Sequence, residues 1–268
     1  MSFYEFQSSQ IGDEAMPQMP VPEMGFCTDL VFEGDLVIKT DKIVRPHTQA
    51  EQIHDNLIRY ADALASEPIQ VAAFRGAKIL ESGGGYRVQY ITDVVRGPSV
   101  ASLPMAERRQ IASTMIGDIC SMSVTDDPDE LKVGIDSKVA NWHVSETGRP
   151  VLVDLYPPSV RNARGRLTDG LRESTPSMQR YKGTKSGAIT KILYSSLCLG
   201  FPEPNASQRL RHMLGKRDDW CYDLLPSDMA PAVRSSVRAE VRTHFAPIIA
   251  STAMRKISER CNPIRRHR

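Results

Sequence analysis

The sequence predicts an α+β fold of two lobes, and three observations carry that expectation. Residues 1–95 are rich in β-type runs with one amphipathic helix. The remainder reads as mainly helical and contains a single hairpin. The change of texture falls at Asp93–Pro98, where an apolar strand gives way to Arg-Gly-Pro. The expected division is therefore an N-lobe over 1–95, with 1–23 an irregular lead-in, and a C-lobe over 96–268. A chain of 268 residues, 41% hydrophobic and 25% charged, has the size and composition to bury a substantial core in each lobe.

Taken in order, FCTDLVF and DLVIKT form two β-rich runs around Glu33-Gly34, which predicts a hairpin. Residues 48–65 place Ile53, Leu57, Ile58, Ala61 and Leu64 at the spacing of one helical face. IQVAAFRGAKIL and YRVQYITDVV follow as strands joined by Ser82-Gly83-Gly84-Gly85. Pro104 opens a helix carrying Ile111, Met115, Ile116 and Ile119. An acidic turn at Asp126–Glu130 precedes a second hairpin. From about 187 the chain reads as helices, AITKILYSSL, SQRLRHML and VRSSVRAEVRTHF, with Pro247 breaking the last from a short terminal helix.

Composition excludes several functions. A net charge of +2 is too small to imply nucleic acid or an acidic membrane as the main partner, and the basic tail Arg255–Arg268 reads as a solvated terminus. The five cysteines are odd in number and scattered without any CxxC, which disfavours a zinc site or a disulfide framework and fits a reducing cytoplasm. With no basic-then-apolar leader and no run of about 18 apolar residues, a soluble cytoplasmic protein is expected. No G-x-x-x-x-G-K-[ST] occurs, so a P-loop nucleotide site is not expected.

The stretch DSKVANWHVSETGRPVLVD, Asp136 to Asp154, carries the chemistry. Trp142-His143-Val144 and Val151-Leu152-Val153 are β-type runs with Thr147-Gly148 midway between them. A two-residue turn centred there places Asn141 directly opposite Asp154, with Cβ atoms about 5 Å apart. An amide oxygen and a carboxylate at that separation suit Mg²⁺, which takes hard oxygen ligands and few of them from protein. The register rests on the turn length; a three-residue loop shifts it. Asp136 adds a carboxylate able to orient or deprotonate a hydroxyl, and Lys138 a charge able to neutralise a phosphoryl group.

With D-x-K-x-x-N followed by an Asp thirteen residues after the Asn, the chain resembles the protein-kinase-like superfamily. Its resemblance is to the small-molecule, aminoglycoside-phosphotransferase-like branch in particular. The resemblance implies a two-lobed kinase-like fold, Asp136 as catalytic base with Lys138 beside it, and Asn141 and Asp154 as Mg²⁺ ligands. Two positions depart from the pattern: no histidine opens the catalytic loop, and Asp154 is followed by Leu155-Tyr156 where the family has Phe-Gly. Regulation through a flexible activation segment is therefore not expected.

The same resemblance extends to the first lobe. Leu36-Val37-Ile38-Lys39 is similar to the V-A-I-K strand, implying that Lys39 meets ATP phosphates. Gly25-Phe26-Cys27-Thr28 stands where a phosphate-covering loop belongs, with Gly25 and Thr28 its candidate contacts. The helix over 48–65 would supply the acid that pairs with Lys39, either Glu51 or Asp55. Ile91-Thr92-Asp93-Val94-Val95 stands at the hinge, implying backbone contacts from Asp93 and Val95 to the base.

The reaction expected is transfer of a γ-phosphoryl group from Mg²⁺-ATP to a hydroxyl of a small molecule such as a sugar, nucleoside or antibiotic-like metabolite. A protein kinase and a nucleotide-binding pseudokinase are the alternatives. The substrate's charge stays open. Arg161, Arg164 and Arg166 suit an anion, whereas Asp218, Asp219 and Asp223 suit a cation.

Overall fold

A computed structural model describes residues 28–198, 224–239 and 241. The fold is mixed α+β. It divides into two compact units, Met1–His54 with Ala73–Val94, and Asp55–Ala72 with Val95–Arg268.

The first unit is an antiparallel sheet of order β1-β2-β5-β4, built from β1 (Thr28–Glu33), β2 (Leu36–Asp41), β4 (Phe74–Ser82) and β5 (Gly85–Asp93). Both of its hairpins are short because glycine supplies left-handed backbone. Gly34 (φ 60°) closes β1–β2, and Gly83 with Gly84 (φ 59° and 83°) closes β4–β5. Along β2 burial alternates, so Val37, Lys39 and Asp41 share the covered face, and on β5 so do Val88, Tyr90 and Thr92. Asp41 has no exposed surface; it accepts a hydrogen bond from Ile43 N (3.0 Å) and pairs with Arg45. A buried carboxylate requires such partners.

Helix α1 (His47–Ala65) bears out the spacing read over 48–65 at Ile53, Leu57, Ala61 and Leu64, which are buried, while Ile58 is only half-buried and Tyr60 is enclosed in addition. Its residues from Asp55 onward belong to the second unit. So does β3 (Gln70–Val71), which corrects the expectation of one continuous strand over 69–80. β3 lies parallel to β7 (Pro150–Leu152), with Gln70 opposite Val151 and Ala72 N donating to Leu152 O (2.8 Å). Short apolar runs do not reveal such a break, because what ends the strand is its change of partner.

In the second unit β7 is the middle strand of the sheet β3-β7-β6, where β6 is Trp142–Val144. Helix α2 (Met105–Ser121) follows Pro104 as expected and buries Ala112, Met115, Ile116 and Ile119, while Ile111 stays partly exposed. It packs against α4 (Lys185–Cys198), which also receives the short helix α3 (Pro176–Gly183). The small ladder β8 (Thr168–Asp169) with β9 (Arg172–Glu173) and helix α3 were not anticipated from sequence. Trp142, Leu152, Leu155, Ile189, Ile192 and Leu193 are almost wholly enclosed; each such side chain contributes about 1.5–3 kcal/mol of burial. A helical run over 231–239 begins at Pro231, two residues ahead of the predicted VRSSVRAEVRTHF helix, and overlaps its first residues; SQRLRHML and the segment around Pro247 lie outside the described residues. No described helix is long and apolar enough to cross a membrane.

Candidate active site

The segment from Leu131 to Asn141 is built as an extended strip pinned at successive backbone groups. Leu131 N donates to Gly183 O (2.9 Å), Gly134 N to Ser159 O (3.0 Å) and Ile135 N to Lys182 O (2.9 Å). Tyr60 Oη donates to Gly134 O at 2.9 Å. Gly134 is required sterically, since a Cβ there would stand 2.7 Å from the Leu167 side chain and 2.9 Å from Ser159. The strip ends in a 3-10 turn over Val139–Asn141, closed by Asn141 N to Lys138 O (2.9 Å).

Asp136 sits on this strip with its side chain 25% exposed. Lys191 of helix α4 places Nζ 2.6 Å from its Oδ1, and Lys138 Nζ is 3.5 Å from Oδ2. Burial pushes the carboxyl up, but the ammonium groups of Lys191, then Lys138 and Lys182, outweigh it and hold the group below its ordinary range. Burial and the two other lysines conversely depress the Lys191 ammonium against the pull of Asp136. Asp136 is thus an ionised carboxylate in a strongly cationic setting.

Asn141 and Asp154 do not face each other as the assumed turn required. The ladder pairs Trp142 with Leu152 and Val144 with Pro150, so it is centred on Thr147, and Val153 N donates to Asn141 O (2.9 Å). The loop holds three residues because Gly148 (φ 77°) adopts left-handed backbone and donates to Ser145 O (2.9 Å), while Ser145 N reaches Arg149 O (2.8 Å). Polar groups reinforce it, with Ser145 Oγ 2.9 Å from Thr147 Oγ1 and accepting from Arg149 N (3.2 Å). Asp154 therefore follows the cross-strand partner of Asn141. The Asn141 amide is turned to the strip over 131–141, Nδ2 donating to Asp136 O (3.2 Å), and Asp154 Oδ1 accepts from Tyr156 N (3.3 Å). Asn141 Oδ1 and the Asp154 carboxylate are hard oxygen donors of the kind magnesium takes, in the number it takes from protein. Among the described residues no group of three or more His, Cys, Asp or Glu side chains is placed to hold a metal ion.

In the first unit Lys39 is 8% exposed, with Nζ 5.5 Å from the centroid of the Tyr90 ring on the adjoining strand. Glu51 does not pair with it. Glu51 is exposed on α1, with its carboxylate 3.3 Å from His47 Nδ1; Asp55, one helical turn later, is also exposed and belongs to the second unit. The helix turns Ile53 and Leu57 inward, and position 51 falls on the opposite face. Asp93 ends β5 with its carboxylate bidentate to Arg75 (2.6 Å each) and its N–H given to Ala73 O (2.9 Å). Val95 makes no backbone hydrogen bond among the described residues. Thr28 is the first residue of β1, half-buried, and Gly25 lies outside the described residues.

Of the residues offered for substrate charge, Arg161 is committed to structure. Its guanidinium is 13% exposed, donates to Leu131 O (2.8 and 2.7 Å), Gly165 O (2.6 Å) and Gly183 O (3.2 Å), and pairs with Glu130 (2.9 Å). Arg164 and Arg166 are exposed in the adjoining turn, and Asp218, Asp219 and Asp223 lie outside the described residues. Lys182 and Lys191 were missed. The available signal was a lysine inside the apolar run of AITKIL, where a charge on an enclosed helix demands a partner.

No protein-family model matches the chain, and no curated protein matches it.

Proposed function

We propose that the protein is a two-lobed, kinase-like phosphotransferase that moves the γ-phosphoryl group of Mg²⁺-ATP to a hydroxyl of a small molecule. The observation that carries the reading is Asp136, an ionised carboxylate held between Lys191 and Lys138 on a strip whose carbonyl is gripped by the Asn141 amide. In this reading Asp136 accepts the proton of the acceptor hydroxyl as its oxygen attacks the γ-phosphorus, and ADP leaves. Lys138 offsets charge on the transferring group. Asn141 Oδ1 and Asp154 would hold the metal, which would supply positive charge to offset that of the phosphates. Lys39 would meet the phosphates, and the Asp93 carbonyl and Val95 backbone would meet the base. Tyr90, opposite Lys39, is three residues before Asp93 on β5, about 10 Å along the strand, a span suited to a nucleoside with its first phosphates. The cytoplasm is the compartment this chemistry calls for.

The test is ATP consumption with Mg²⁺ across a panel of hydroxylated metabolites, alongside ATP-induced thermal shift. Asp136→Asn is expected to lower turnover by roughly a hundredfold to ten-thousandfold while the thermal shift with ATP persists. Full turnover in Asp136→Asn would remove the base assignment. No thermal shift with ATP would remove the nucleotide reading altogether. Transfer to a generic protein substrate instead would make the acceptor a protein.

A further inference from the structure

Helix α4 does more than fill the second unit's core. It meets the catalytic strip at three positions, 188, 191 and 195, whose i, i+3, i+7 spacing lies along one helical face. Ser137 Oγ donates to Ala188 O (2.7 Å), Lys191 Nζ meets Asp136 Oδ1 (2.6 Å), and Val139 N donates to Ser195 Oγ (3.1 Å). The Ser195 hydroxyl in turn donates to Lys191 O (2.7 Å), so the residue holding Val139 also touches the backbone of the residue holding Asp136. Ser137 has no exposed surface and the Lys191 side chain is 14% exposed, so both contacts are shielded from water. A charge-assisted bond in such surroundings is short, directional and costly to break.

From this we infer that Lys191 is a positioning residue: it fixes one oxygen of the Asp136 carboxylate so that the other, Oδ2, is the one presented to an acceptor hydroxyl. The inference rests on the reading of Asp136 as acceptor-side base. Lys191 occupies Oδ1 directly, whereas Lys138, the other lysine beside the carboxylate, stands back from Oδ2 at 3.5 Å. Lys182 is the third cation near the group, and its backbone carbonyl anchors Ile135. Serine hydroxyls at 137 and 195 hold the strip just after the carboxylate, and a rotation of Asp136 is opposed mainly by its short bond to Lys191, with Lys138 N reaching the same Oδ1 from a longer 3.5 Å.

The experiment compares Lys191→Met and Lys191→Arg with wild type in steady-state kinetics on the best acceptor of the panel, with crystal structures of both variants. Lys191→Met is expected to lower kcat by about tenfold or more with KM for ATP unchanged, because misplacing a reacting group costs rate rather than nucleotide affinity. Lys191→Arg is expected to recover most of the loss. Asp136 should change rotamer in Lys191→Met and keep it in Lys191→Arg. Wild-type kcat in Lys191→Met overturns the inference, and so does a loss that Lys191→Arg shares in full. An unchanged Asp136 rotamer in Lys191→Met overturns it as well. Should Lys191→Met fail to fold, Lys191→Gln against Lys191→Arg makes the same comparison. If the wild-type protein phosphorylates no acceptor, the phosphotransferase reading falls, and the rotamer comparison still decides what Lys191 does.

Discussion

Two aspartates of the second unit show how single residues read their surroundings. Asp118 on α2 is buried enough that desolvation raises its carboxyl above the usual range, although Arg149 (Nη2 3.0 Å from Oδ1) pulls the other way. Asp136 is also buried, but three lysines reverse the outcome. The two titrate with opposite signs. For Asp136 the folded value lies below the unfolded one, so its stabilisation is complete above the unfolded value and is lost as pH falls through the folded one. For Asp118 the folded value lies above, so its contribution is complete below the unfolded value and is lost as pH rises through the folded one. Denaturation midpoints across the acid range should therefore lose part of their fall at low pH in Asp136→Asn. Asp118→Asn should improve relative to wild type as pH rises toward neutral. Matching pH profiles for wild type and Asp136→Asn would contradict the charge balance assigned to the site.

Elements are fixed by close approaches that a few small residues permit. Gly187 lies in the first turns of α4, where an added Cβ would be driven into the Arg180 carbonyl of α3. Gly187→Ala is expected to destabilise by about 2 kcal/mol or more by forcing these helices apart, although alanine is the better helix former. A melting temperature equal to wild type would show that α3 yields freely. Gly148→Ala strains the left-handed residue of the three-residue loop at a cost of about 1–2 kcal/mol. It should also loosen the β6–β7 hairpin, read as faster amide exchange at Val153. Arg161 belongs to this scale too. A cluster of arginines after a hairpin reads as a ligand site in sequence, but Arg161 closes the carbonyls of 131, 165 and 183 and shapes the strip beneath Asp136.

For the whole molecule, nucleotide binding as proposed would be linked to stability. A ligand that binds only the folded protein adds about 2.7 kcal/mol at a hundredfold excess over its Kd. Lys39→Met removes a nearly enclosed ammonium, and the melting-temperature shift given by Mg²⁺-ATP, measured against each protein's own ligand-free value, should shrink. An undiminished shift would remove Lys39 from the phosphate site. Residues 55–72 show how a boundary can escape sequence. The texture changes at Asp93–Pro98, and the chain does divide between Val94 and Val95, yet the second half of α1 and all of β3 belong with the later residues. Local pattern marks where elements lie along the chain, whereas membership of a core depends on partners distant in sequence.

By itself the sequence determined the elements whose period is long or whose turns carry glycine: α1, α2, α4, and the β1–β2 and β4–β5 hairpins. It also picked out Asp136, Lys138, Asn141 and Asp154 by order and spacing. Tertiary structure alone decided the register that sets Asn141 against Val153, the transfer of β3 to another sheet, and the approach of Lys191 to Asp136. The reason is physical. Periodicity and turn chemistry act between residues a few positions apart, whereas a one-residue change of loop length or a charge pair 55 positions apart is settled by which arrangement leaves buried polar groups satisfied.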